Sequence, residues 1–226
     1  VAQNQRADTK SYEAVTNSLN RATSIADVSI SAGESISDLV TQLKEKATAA
    51  ADPGGTPATR TAYNNEFQAL LQSIAGFAAN ATFDGQNILD GTSTAPLQFL
   101  ANADASATID LDRQDLSLAG LGLNPAPDLT TVAGATTALA TVTTALATVN
   151  ANLAELGAQA TRIDNHTVFV AKLMDSLETG VGNLVDADLA KESAKLQALQ
   201  VQQQLSVQAL SIANQAPQII LSLFQN

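Results

Sequence analysis

Three observations predict a mainly α fold: an elongated antiparallel coiled-coil rod of long helices, a small β-hairpin region and a C-terminal assembly helix. Apolar residues recur at 3-4 spacing along most of the chain. That spacing gives way to alternation only between Thr82 and Leu123. From Leu196 to Asn226 no residue is charged, yet Gln and Leu, Ile or Val are interleaved throughout. These divide the chain into a rod domain over residues 1–187 and an inner assembly helix over 188–226.

The first helix is expected over about residues 5–50. Tyr12, Val15, Leu19 and Ala22 keep 3-4 spacing, and the stripe then slips and resumes at Ile25, Val28, Ala32, Ile36, Leu39 and Leu43. Asp52-Pro53-Gly54-Gly55-Thr56-Pro57 stops it, because proline lacks the amide hydrogen and paired glycines disfavour helix. A second helix follows over about 58–80, with Tyr63, Phe67, Leu70, Ile74 and Phe77 on one face as the expected heart of the core. Over 82–123 the period changes. Phe83-Asp84-Gly85 marks a turn, and Leu97/Phe99 and Ile109/Leu111 each alternate with polar neighbours, so this is a β-hairpin region. Residues 124–130, with Pro125 and Pro127, form a short surface connection.

The third helix, about 131–187, carries the longest periodic run. Leu139, Val142, Leu146, Val149, Leu153, Leu156, Ile163, Val170 and Leu177 form a coiled-coil seam, in a helix roughly 85 Å long at about 1.5 Å per residue. Gly180 and Gly182 weaken the helix, which places a hinge near Gly180 to Asp188. Beyond it, Leu196, Leu199, Val207 and Leu210 fall in one sector of the helical wheel, and Val201, Leu205 and Ile212 fall opposite. Two opposed apolar stripes call for protein partners on both sides. A membrane span is excluded because the interleaved glutamines would carry unsatisfied amides into lipid. Pro217 predicts a kink near Ala213.

Composition narrows function by exclusion. The formal charge of −11 argues against nucleic-acid or anionic-membrane partners, which need clustered Lys and Arg. Absence of Cys removes thiolate nucleophiles, disulfides and cysteine-ligated zinc. His166 is the single histidine, so a two-His metal site is impossible. A triad of His166 with Asp164 would need a concave site that a thin rod does not offer, and His166 is expected on the outward face. The Asp186/Asp188 and Asp110/Asp112 pairs lie outside any calcium-binding loop with its glycine and spacing, and read as solvated turns. The expected enzyme, metal and cofactor assignments are therefore none. No Sec-type apolar leader opens the sequence. It starts with Val1 inside a helical pattern, which predicts that a native N-terminal segment is missing.

Three separated stretches carry a family likeness. Ala213-Asn214-Gln215-Ala216-Pro217-Gln218-Ile219-Ile220-Leu221-Ser222-Leu223-Phe224 resembles the C-terminus of bacterial flagellins, the subunits of the flagellar filament. Ala2-Gln3-Asn4-Gln5-Arg6-Ala7-Asp8, with Tyr12, Ser18-Leu19-Asn20 and Ile25-Ala26-Asp27, resembles their first rod helix. Phe83-Asp84-Gly85-Gln86-Asn87-Ile88-Leu89-Asp90-Gly91 is similar to their turn into the hairpin, and Leu97 to Asp104 and Leu116 to Leu123 resemble the strands that follow.

The resemblance implies a structural subunit that polymerises through terminal coiled coils, in an extracellular filament used for motility. It implies type III export without a Sec signal, and as partners other flagellin subunits, an export chaperone, and hook-associated and cap proteins. Ile219, Ile220 and Leu223 join the assembly interface with Leu196, Leu199, Val201, Leu205, Val207, Leu210 and Ile212. The short 124–130 connection stands where many flagellins carry outer domains, so the filament is expected to be thin and smooth. Without its N-terminal partner helix, the chain is expected not to polymerise alone. Ser35 and Ser37 stand where the family's receptor-recognised patch has Arg, which implies weak or absent sensing by the flagellin-recognising Toll-like receptor. The alternatives are a flagellin-like surface binding module or adhesin, for which the few aromatics leave little platform, and a hook-filament junction protein.

Overall fold

The computed structural model describes the backbone of residues 2–223 and the side chains of residues 3–212. Its elements in order are helix α1 (Ala2–Ala50), helix α2 (Pro57–Asn80), strands β1 (Thr82–Phe83), β2 (Gln86–Asn87), β3 (Leu97–Leu100) and β4 (Thr108–Leu111), and helix α3 (Val132–Leu223). Residues 8–174 form one compact unit, and the residues up to Ala7 group with those from Asp175 onward in a second.

Within the first unit α1 and α3 are antiparallel. Ser37 Oγ donates to Asn150 Oδ1 at 3.3 Å, Thr16 Oγ1 donates to Met174 Sδ at 3.7 Å, and Leu153 lies over Gly33. As one partner's number rises the other's falls, which only opposed helices allow.

The buried positions correct the expected slip in α1. Val15, Leu19, Ala22, Ala26, Ser29, Gly33, Ile36, Val40, Leu43, Ala47 and Ala50 are all buried, at unbroken 4-3 spacing. The seam passes through small residues at Ala26, Ser29 and Gly33, and following only large side chains creates a phase shift that is not there. A side chain as small as these lets the facing helix approach, and Leu153 uses the space: a Cβ on Gly33 would stand 2.7 Å from Leu153 Cδ2.

Helix α2 starts at an N-cap, where Thr56 Oγ1 accepts from Thr59 N at 3.2 Å and Pro57 occupies the first turn, where its missing amide hydrogen costs nothing. Its buried face is Phe67, Leu71, Ile74 and Ala78. Phe77, placed by the sequence pattern in the core, is 45% exposed, and Tyr63 and Leu70 are half-buried. Lys46 Nζ on α1 meets Glu66 Oε2 on α2 at 2.6 Å, and that hydrogen bond raises the Lys46 pKa. Asn87 closes the far end of α2: its Nδ2 donates to the carbonyls of Ala78 at 2.8 Å and Ala79 at 3.1 Å, while its Oδ1 accepts from Leu89 N at 2.8 Å.

The β region is two separate antiparallel pairs. β1 and β2 pair Thr82 with Asn87 and Phe83 with Gln86, around a tight turn in which Asp84 and Gly85 take φ of 50° and 71°. β3 and β4 pair Leu97 with Leu111 and Phe99 with Ile109. Leu116–Leu123, expected as a strand, instead forms compact turns. Leu121 N donates to Ser117 O, Leu123 N to Leu118 O, and Gly122 takes φ of 68°. Its apolar residues Leu116, Leu121 and Leu123 plug the core from a loop, which gives them strand-like spacing without a ladder.

Helix α3, expected to end at 187 with a hinge at Gly180 to Asp188, continues through both glycines to Leu223. Helix propensity costs of about 1 kcal/mol per glycine do not interrupt a helix this long. By length and composition α3 would qualify as a membrane span. Of its most apolar 18-residue window 28% is buried, by the face that includes Ala135, Val142 and Val149 in the core.

Candidate assembly surfaces

The α3 seam comes first. Val142, Val149, Leu156, Ile163 and Val170 are buried, whereas Leu139, Leu146, Leu153 and Leu177 are half-buried. The deepest line instead includes Ala135, Ala138, Ala145 and Gln159. At 138 and 145 it sits one position from half-buried Leu139 and Leu146, whereas Leu153 itself lies in the contact with α1, over Gly33.

Gln159 is a buried polar group whose bonds are all made. Its Oε1 accepts from Asp112 N at 2.7 Å, and its Nε2 donates to Asp112 Oδ2 at 3.1 Å and Glu155 Oε1 at 3.0 Å. Nothing in the sequence pattern marks Gln159, because it occupies a seam position that the large-residue reading skips. His166, expected to face outward, is half-buried: its Nε2 lies 2.7 Å from the Ala101 carbonyl and its ring 5.8 Å from that of Phe169. Arg162 one turn earlier donates to the Asp110 carbonyl. The histidine therefore fastens α3 to the end of β3, its Nε2 taken up by a backbone carbonyl. Among the described residues, no group of three or more His, Asp or Glu side chains is placed to hold a metal.

Ser35 and Ser37 on α1 are half-buried, and their hydroxyls donate to Ser31 O at 3.0 Å and to Asn150 Oδ1 at 3.3 Å. Both serines are thus occupied within the unit.

Beyond Asp175 the picture inverts. Leu196, Leu199, Val201, Leu205, Val207, Leu210 and Ile212 are each between 51% and 68% exposed, and Leu184 and Leu189 join them. Uncharged glutamines fill the positions between, so each turn presents aliphatic side chains and neutral amides on every side. The side chains of Ile219, Ile220 and Leu223 lie outside the described residues.

Comparison with known proteins accounts for this layout. Residues 1–94 match the bacterial flagellin N-terminal helical region, and residues 139–224 match the C-terminal helical region. The chain is 51% identical over 225 residues to flagellin FljM of Caulobacter vibrioides, which covers 100% of this chain and 82% of that protein. In fold it is similar to Bacillus cereus flagellin, with a TM-score of 0.61 and 23% identity over 67% of this chain and 87% of that one. A Vibrio parahaemolyticus protein described as flagellar hook-associated gives a TM-score of 0.65 at 12% identity, covering 80% of this chain and 95% of that one. Two matched helical regions in chain order, with identity of this level over the whole chain, make it a member of the bacterial flagellin family, a structural subunit of the flagellar filament.

Proposed function

We propose that this flagellin joins its filament through the aliphatic faces of α3 between Leu196 and Ile212, with Ile219, Ile220 and Leu223 extending the contact. The observation that supports this most is the exposure of seven large aliphatic side chains in a stretch without charge. Covering them would contribute about 1.5–3 kcal/mol per side chain, and the neutral glutamines between them add no charge to desolvate. A helix from the same family's N-terminal segment and the matching helices of neighbouring subunits are the coverings proposed.

Before assembly the same faces need protection, so an export chaperone is the proposed first partner, and hook-associated and cap proteins are proposed at the filament ends. Export proceeds without a Sec signal on this reading, and the subunit performs no catalysis. The serines at positions 35 and 37 leave a receptor that reads guanidinium groups without its charge-assisted bonds, each worth about 1.5–3 kcal/mol. Sensing by the flagellin-recognising Toll-like receptor is accordingly weak or absent.

Seeded growth followed by electron microscopy tests the assembly reading. Short flagellar filaments are mixed with this chain, and separately with the chain preceded by the N-terminal segment of its relatives. Extension by the second alone is expected. Failure of both would transfer the assignment of these surfaces to a junction protein or a surface binding module.

A further inference from the structure

Among the described residues of the 8–174 unit, Phe77, Phe83, Val168 and Phe169 are the large apolar side chains left exposed. Two of these sit beside opposite strands of the β3–β4 pair. Next to β4 lies a groove of about 490 Å³, walled by Ile109 and Phe169 and rimmed by Asp110, Arg162 and His166. Phe169 is 56% exposed, and the bonds from Arg162 to the Asp110 carbonyl and between His166 and the Ala101 carbonyl fix the groove's sides. Next to β3 stands the β1–β2 turn. Residues 82–86 are exposed without exception, and a Cβ at Gly85 would meet nothing within 4 Å. The turn presents an aromatic ring at Phe83 and a carboxylate at Asp84, held on the β3 side by Arg21 at 3.5 Å.

The two features complement each other: the turn carries a ring and a carboxylate paired loosely with Arg21, and the groove an apolar wall and a guanidinium that spends one donor on the Asp110 carbonyl, while the Asp110 carboxylate accepts from Gln98. One subunit carries both at different places. Such a pair makes a heterologous contact, which repeats from copy to copy instead of closing on itself. We propose that the 82–86 turn of one copy docks in the β4–α3 groove of the next, as a subunit contact additional to that of the α3 tail. This rests on the polymerising reading above, and its occupant is a second copy of this chain.

The absence of Cys makes a clean test possible. Phe83→Cys and Phe169→Cys are introduced into separate chains, each bearing the relatives' N-terminal segment. They are co-assembled on short seeds, checked as filaments by electron microscopy, and oxidised. A disulfide needs Cα atoms within about 7 Å, so dimers are expected in mixed filaments and not in filaments of either variant alone. Equal dimers from one variant alone would mean a symmetric contact and overturn the proposal. Filaments without mixed dimers would overturn it while leaving the polymerising reading intact, and failure of the unsubstituted chain with the same N-terminal segment to extend seeds would remove both. Where a cysteine variant does not extend seeds, charge reversal decides. Asp84→Lys or Arg162→Glu is expected to slow elongation several-fold, and the double variant to restore it; slowing without restoration rejects the contact.

Discussion

Replacing Gly33 by Ala sets two effects of similar size against each other, and a second substitution at Leu153 separates them. In an exposed helix the change would stabilise by about 1 kcal/mol, because Ala loses less backbone freedom. Here the new Cβ would stand 2.7 Å from Leu153 Cδ2 and 3.4 Å from Leu116 Cδ1. Forcing a methyl into a packed seam costs about 1–3 kcal/mol, so the net for Gly33→Ala is from about 0 to 2 kcal/mol destabilising. Leu153→Ala alone should cost about 1–2 kcal/mol, less than a fully buried leucine because it is half-buried. In that background the obstruction is gone, and Gly33→Ala should stabilise by the full helix term, about 1 kcal/mol. The coupling between the two sites is therefore about 1–3 kcal/mol, measurable by urea unfolding followed by helix circular dichroism on the four chains. An identical effect of Gly33→Ala in both backgrounds, within about 0.5 kcal/mol, would refute the seam geometry.

Gln159→Glu places a third carboxylate beside Asp112 and Glu155. It should destabilise at neutral pH, and the deficit should shrink as acid neutralises the group, read from melting curves between pH 7 and pH 4. Asn87→Ala strips the α2 end of its side-chain donor and leaves Leu89 N unpaired, a loss of about 1–3 kcal/mol in urea unfolding. Leu205→Asp should abolish extension of seeds while leaving the melting of the 8–174 unit unchanged; parallel loss of both would argue against a dedicated assembly face. Bonds from the Ser106 amide and hydroxyl lower the Asp104 pKa. The ordering this gives the 102–107 loop is therefore present above the ordinary carboxylate range and fades as pH falls through the lowered value. The Ser106 amide shift in an acid titration monitors it.

Helix existence was legible throughout, because 3-4 spacing needs only the identities of apolar residues. The Phe83-Asp84-Gly85 turn was also legible, since the φ it requires at Asp84 and Gly85 favours that chemistry. What stayed hidden was rotation about each helix axis. Ala138 and Leu139 are neighbours on α3, and which one turns inward depends on the other helix: the register set by Ser37 and Asn150 puts small buried residues, Ala47 and Ala50, at that level of α1. A single-helix pattern weighted by side-chain size chooses the leucine. Leu116–Leu123 misled for a related reason: buried leucines in a folded loop mimic alternation, and only the missing ladder reveals the difference. The apolar stripes of the tail needed no partner to be recognised, being defined by the absence of charge.

Threonines give the outer surface of α3 an unusual chemistry. The hydroxyls of Thr136, Thr137, Thr141, Thr143, Thr144 and Thr148 each donate to the carbonyl one turn earlier, and no charge occurs from Leu129 to Ala154. With their hydrogens committed inward, these side chains offer a neighbour acceptors alone. Two such surfaces brought together would set lone pair against lone pair, with water the better companion for each. Within a chain of net charge −11, the stretch from Leu129 to Ala154 is thus an uncharged face that holds its water through acceptors instead of ions.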